Sequence, residues 1–232
     1  MSVVAGPHGG LCLAVEPVAG ERTAIVLATL HRLMRQRGEQ PAVLQTDRGP
    51  CFVGAEGGER RALPGRLTLW LWGLGITHRV LPPGKPWRNG AVERFQGAVE
   101  HSWTGEPDGL AAPRAVWNHG KAGAGTTLPY QGRAGFDLAR VWAGLARGRV
   151  TRSVDAQGKR SVWDRPLRVG RRWALRPVVV TFDAPRRVAV VRDKQDTALV
   201  ERALPWLTAA WLWAEAEGAE QVLDHDGTPT FR

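Results

Sequence analysis

A carboxylate at the end of an apolar run and a second one just inside a helix can together hold divalent metal against a phosphodiester. Asp47 closes the apolar run Ala42-Val43-Leu44-Gln45-Thr46 and is followed by the breaker residues Arg48-Gly49-Pro50. Glu93 follows a Pro-rich loop, 82–88, and Asn89, a residue type that favours helix N-caps, so it falls in the first turn of a helix. Carboxylate oxygens suit hard cations such as Mg2+ or Mn2+. Two such ions activate an attacking oxygen and stabilise the leaving one in phosphoryl transfer. A plainer reading exists for each residue. Asp is common at such a turn and caps it, and a first-turn Glu is often simply solvated.

The elements that must position these acids can be read from periodicity. Leu11 to Val15 reads as a buried strand. Thr23 to Arg37 reads as an amphipathic helix, with Ile25, Leu27, Leu30, Leu33 and Met34 near helical spacing and Gly38 at its C-cap. Ala42 to Thr46 is a second strand. Gly54 to Gly65 is a polar, Gly-rich loop. Arg66 to Leu74 carries Leu67, Trp70, Leu71 and Leu74 at i, i+3, i+4 and i+7, a helix that Gly75 ends. Ile76 to Leu81 is a third strand. This alternation predicts an α/β layer with a largely parallel sheet. A helix from Asn89 to about Trp103 follows, and 105–135 reads as irregular with short helical pieces. From Val150 onward the rhythm changes to short strands at Ser161-Val162-Trp163, Arg172 to Leu175, Val178 to Phe182 and Val188 to Val191, which suggests a small β barrel. The tail from Ala203 to about Val222 reads as helical.

The chain of 232 residues has a formal net charge of +10, and 43% of it is apolar. That is long enough to bury a core in one or two domains. The segment from Arg147 to Lys194 holds fourteen Lys and Arg against four Asp, so it alone accounts for the net charge. A basic module of this kind points to a polyanionic partner, foremost nucleic acid. The preference for Arg over Lys suits phosphate contacts; a GC-rich genome gives the same bias. Most of the eleven Trp read as core or half-buried packing, and stacking on unpaired bases stays open for some of them. Cys12 and Cys51 are too few for a disulfide framework or a Cys-rich zinc site, and read as small buried residues. The run Ala203 to Ala214 is too short to span a bilayer, and no signal peptide is evident. The expected setting is therefore a reducing cytoplasm.

The motifs around the two acids add a family likeness. Asp47-Arg48-Gly49 followed by Phe52 is similar to the D-x-G-x-x-F region of retroviral-type integrases and bacterial insertion-sequence transposases of the D,D,E type. Gly75-Ile76-Thr77-His78 resembles the strand that follows in that family. Pro83, Pro86 and Asn89-Gly90, then Val92-Glu93-Arg94-Phe95, resemble its loop and catalytic helix. Asp47 and Glu93 are somewhat further apart than in the family's compact form, and the Gly54 to Gly65 segment accommodates the excess. The basic β-rich part resembles the C-terminal barrel of such proteins.

The resemblance implies an RNase H-like core and two-metal, Mg2+- or Mn2+-dependent cleavage and joining of DNA. Asp47 and Glu93 would be the catalytic metal ligands. Lys85, Arg88 and Arg94, together with Arg171 and Arg172 of the basic part, would contact DNA; ordinary solvated charge remains open for Lys85, Arg88 and Arg94. His78 reads as structural and Asn89 as a helix cap. The partners implied are double-stranded DNA, as transposon ends and target, and further copies of the chain. No membrane is implied. The expected organisation is a core at 1–120, a linker at 121–146, a basic barrel at 147–200 and a helical tail at 201–232. One departure is large. No Asp precedes Asp47, and the upstream acids Glu16, Glu21 and Glu39 do not replace the family's first Asp. The expectation is an N-terminally truncated transposase, weakly active or inactive, with a non-catalytic DNA-binding remnant or regulator of transposition as the alternative.

Overall fold

The structure, a computed structural model, describes residues 2–4, 11–15, 22–53, 63–83, 90–101, 107–119, 127–163 and 165–218. It is a mixed α/β chain of helices and several small sheets. The strands are β1 (Ser2–Val4), β2 (Cys12–Val15), β3 (Glu39–Pro41), β4 (Val43–Thr46), β5 (Thr77–Val80), β6 (Thr127–Pro129), β7 (Val150–Ser153), β8 (Lys159–Val162), β9 (Arg165–Arg168), β10 (Pro177–Asp183), β11 (Val188–Arg192) and β12 (Ala198–Ala203). The helices are α1 (Thr23–Arg37), α2 (Pro50–Val53), α3 (Arg66–Gly73), α4 (Gly90–Glu100), α5 (Ala111–Asn118), α6 (Leu138–Ala146) and α7 (Ala209–Gly218). The chain divides into two compact units. The first comprises Met1–Phe52, Ile76–Gly135 and Glu215–Arg232, and the second Val53–Gly75 and Phe136–Ala214.

In the first unit, α1 buries Val26, Leu27, Leu30, Leu33 and Met34 along one stripe, the spacing that puts side chains on one helix face. It stops at Gly38, which takes the left-handed conformation (φ 67°). That conformation is cheap for Gly and lets its N–H reach the Arg35 carbonyl. Arg35 and Arg37 sit in the last turn, where cations face the negative end of the helix dipole. The expected run of parallel strands is only partly realised. β4 and β5 pair in parallel, from Val43 opposite Thr77 to Thr46 opposite Val80. The Cys12–Val15 strand instead pairs antiparallel with Ser2–Val4, and β3 pairs antiparallel with β6.

Phe95 and Val99 of α4 pack into a small core with Cys12 and Leu110, flanked by Val15 and Trp117. The Phe95 and Trp117 rings meet edge to face at 5.4 Å, a favoured geometry for aromatic pairs. Asn118 closes this corner. Its side-chain oxygen accepts from the Cys12 N–H at 2.8 Å and its amide donates to the Cys12 carbonyl at 3.0 Å. One side chain thus satisfies both main-chain groups of a strand residue, as a neighbouring strand would.

The second unit is built on a four-stranded antiparallel sheet in the order β12-β11-β10-β7, with β8 and β9 as a separate hairpin. Along β10, Val178, Val180 and Phe182 are buried and alternate with more exposed residues, the period-two pattern of a half-buried strand. Helices α3 and α6 approach closely because both carry Gly at the crossing. A Cβ on Gly73 would lie 2.0 Å from the Phe136 ring, and one on Gly144 would lie 2.3 Å from Trp72. Trp70, Trp142 and Trp213 are fully buried in this unit, so much of the Trp content is core, as their apolar area favours.

Two local expectations change. Residues 138–146, placed in a linker by composition, form α6, which Asp137 caps by accepting the Ala139 N–H at 2.8 Å. Arg172 to Leu175, expected as a strand, instead holds most of a tight 3-10 turn at Arg171–Trp173, set between Gly170 and Pro177.

Candidate functional site

The end of β4 is fixed by a short polar chain. Thr46 is buried. Its hydroxyl donates to the Asp47 carbonyl at 3.0 Å and lies 2.9 Å from His78 Nε2 on the adjacent strand. A hydroxyl has one proton, so the second bond requires Nε2–H of His78 to donate to the Thr46 oxygen. Burial pushes the His78 pKa down to about 4, so the ring is neutral at pH 7 and fits that role. Arg48 Nε donates to the Leu81 carbonyl at 3.3 Å, tying the residue after Asp47 to the end of β5.

Asp47 itself is exposed at the carboxyl end of β4. Its Oδ1 accepts the Gly49 N–H at 2.8 Å, an Asx turn. The Phe52 N–H then donates to the Gly49 carbonyl at 2.9 Å as α2 begins. A Cβ on Gly49 would stand 3.2 Å from Asp47 Oδ1 and 3.3 Å from the Phe52 ring. The Asp-x-Gly-x-x-Phe spacing is therefore a packing unit here. The acid caps the turn, the Gly leaves room for it, and the Phe ring stands beside the Gly.

Glu93 lies in the first turn of α4 and is exposed. A negative charge there faces the positive end of the helix dipole. Phe95 is wholly buried two positions on. At about 100° per residue this turns Glu93 and Arg94 away from the core, and both are exposed. The two acids thus belong to the same unit but rest on different supports. Asp47 is held by β5 and α2; α4 is held through Phe95 and Val99.

Both acids offer oxygen donors of the kind a hard cation takes. Among the described residues, however, no group of three or more His, Cys, Asp or Glu converges as a complete ligand set would, and one oxygen of Asp47 already accepts a backbone N–H. The described carboxylates therefore offer part of a ligand shell.

Of the expected DNA contacts, Lys85 and Arg88 lie outside the described residues. Arg171 and Arg172 are exposed in the second unit on the 3-10 turn. Two other cations of that unit are ion-paired: Arg149 with Asp196 at 2.6 Å, and Arg186 with Glu201 and with Asp183. Arg165, Arg168, Arg171, Arg172 and Arg176 are exposed and have no ion pair among the described residues. Thr46, Asn118 and Arg176 were not singled out from sequence. A lone Thr, Asn or Arg carries no periodic signal; only the fold shows what each one meets.

Comparison with known proteins finds no family model that matches this chain and no curated protein that matches it. No helix among the described residues is long and apolar enough to cross a membrane.

Proposed function

We propose that this chain is a duplex-DNA-binding protein of D,D,E transposase and integrase descent, with an RNase H-like lineage for its first unit and a basic, barrel-type module as its second. The observation that carries the reading is the placement of the two motif acids. Asp47 stands at the carboxyl end of a strand that pairs in parallel with its neighbour, and Glu93 stands on the exposed side of the first turn of a helix anchored by Phe95. The charge distribution supports the partner. All of the net +10 is carried by the segment Arg147 to Lys194, and its exposed guanidinium groups suit phosphate oxygens.

Cleavage and strand transfer would draw on Mg2+ or Mn2+ held by Asp47 and Glu93, acting within a multimer. A second reading, non-catalytic binding that regulates transposition, is favoured by one observation. Asp47 is already engaged in capping its own turn.

One titration tests the DNA-binding core of both readings. Fluorescence anisotropy of the purified chain with a duplex oligonucleotide should show affinity falling steeply as salt rises, since phosphate contacts release counterions. Flat or absent binding would sink both. A cleavage assay with Mg2+ or Mn2+ then separates them. Activity abolished by Glu93→Gln supports the catalytic reading, activity that survives Glu93→Gln removes Glu93 from it, and binding without activity leaves the regulatory one.

A further inference from the structure

The turn 170–176 in the second unit is hydrogen-bonded along its backbone, basic, and tipped by an apolar side chain that the fold does not bury. Its backbone is closely tied. The Trp173 and Ala174 N–H groups donate to the Gly170 and Arg171 carbonyls, both at 3.0 Å. Leu175 donates to the Val154 carbonyl at 3.0 Å, and Val154 donates back to the Arg176 carbonyl at 3.1 Å. Beneath it, the Gly158 carbonyl accepts from both Val169 and Gly170. Gly158 has φ 78°, and a Cβ there would come within 2.5 Å of the Arg171 nitrogen. At the tip, Leu175 is 76% exposed and has φ 60°. The hydrogen bond to Val154 explains the left-handed backbone. It does not explain a Leu, since Gly or Asn takes that conformation more cheaply.

The surroundings indicate what the tip meets. Arg171, Arg172 and Arg176 are exposed around it, and the Arg176 guanidinium lies 5.8 Å from the Trp173 ring centroid, over its face. The acid on the neighbouring turn, Asp155, accepts the Gln157 and Lys159 N–H groups at one of its two oxygens. Leu175 is also the one large apolar side chain that is exposed among the described residues of this unit. A membrane or protein surface calls for a broader apolar face. A single apolar wedge flanked by Arg suits a duplex, where such side chains enter the minor groove and part a base step.

We propose that this turn is a DNA wedge: Leu175 opens a base step while Arg171, Arg172 and Arg176 hold the flanking phosphates. The inference rests on the reading that this unit binds duplex DNA. The test uses the full chain and duplexes carrying 2-aminopurine at each successive position, whose fluorescence rises on unstacking, with anisotropy across a salt series. Wild type should bind and raise the signal at one step. Leu175→Gly, which relaxes the backbone, should lose that rise and bind about tenfold more weakly with the salt slope unchanged. The double variant Arg171→Ala, Arg172→Ala should lower the slope by about two. Salt-dependent binding with no unstacking, or unstacking that persists in Leu175→Gly, overturns the wedge and leaves DNA binding standing. Binding to anionic vesicles that requires Leu175, with DNA binding indifferent to it, overturns the wedge in favour of a lipid surface. No DNA binding by wild type overturns both the wedge and the reading beneath it.

Discussion

At the scale of single residues, Asp47 has two separable duties, and substitution can divide them. Asn keeps an oxygen for the Gly49 N–H but not the charge, so Asp47→Asn should leave stability nearly unchanged. Asp47→Ala removes the cap of a turn whose bond is 2.8 Å. It should destabilise by about 1 kcal/mol in urea titration, by analogy with other Asp caps. Equal loss from both variants would mean that the charge, not the cap, is what the turn uses. His78 makes a second prediction. Its pKa falls from 6.5 to about 4 on folding because the ring is buried. Above pH 6.5 the ring is neutral in both states. As pH falls from 6.5 towards 4 the unfolded chain takes up a proton that the folded chain refuses, so stability is lost across that window. The loss amounts to at most ~3 kcal/mol by pH 4. Thermal melts from pH 7 to 4.5 should show this slope, and His78→Gln should flatten it. The positions of Asp47 at a strand end and of Glu93 in the first turn of a helix were both legible in the sequence. The Thr46–His78 bond that sets the strand end was not, because a cross-strand pair depends on a register that no single segment encodes.

At the scale of elements, periodicity told most where a helix was long enough to repeat it. The bounds of α1 and its Gly38 stop follow directly from the spacing of its apolar residues, and α3 follows from Leu67, Trp70 and Leu71. Strands of three residues, such as β1, β3 and β6, are too short to show an alternation. The helix α6 had a readable signal that composition masked. Asp137 stands at the cap, and Val141, Trp142 and Leu145 are buried on one face, inside a stretch rich in Gly and Ala. In the Arg172 to Leu175 stretch the apolar residues suggested a strand, but Gly170 and the Pro at 177 bound a turn. The α3–α6 crossing gives a test at this scale. Gly73→Ala and Gly144→Ala raise helix propensity by up to about 1 kcal/mol each. Each also drives a methyl into an aromatic ring at 2.0–2.3 Å. Overpacking of that kind costs about 1–3 kcal/mol, so both variants should melt at lower temperature than wild type. A rise in melting temperature would show that Phe136 and Trp72 move aside without loss.

At the scale of the whole molecule, sequence order and spatial grouping part company. A division into consecutive segments describes what composition can show, since charge and strand rhythm do change near residue 147. The compact units are instead discontinuous, because α3 groups with α6 and the β-rich residues while the strands on either side of it group with the first unit. Local patterns do not report such long-range grouping. A chain ending after Gly135 would retain α3 without α6 and without the residues that bury Trp70. It should give little soluble protein, and any that is recovered should show the red-shifted Trp emission of exposed indoles. A cooperative melt with wild-type Trp emission from that fragment would show that α3 finds adequate burial elsewhere.

The same connectivity sets a clock on synthesis. The Arg66 guanidinium at the start of α3 donates to the Trp211 carbonyl, 145 positions later, and Trp163 reaches back 99 positions to the Pro64 carbonyl. At ~5–20 residues per second, α3 leaves the ribosome roughly 7–30 s before its last partners exist. During that interval Leu67, Leu69, Trp70 and Leu71, all buried in the finished protein, face water on a nascent chain. The ribosome's pace between α3 and α7, not the stability of the finished fold, then governs how much of the protein escapes aggregation at birth.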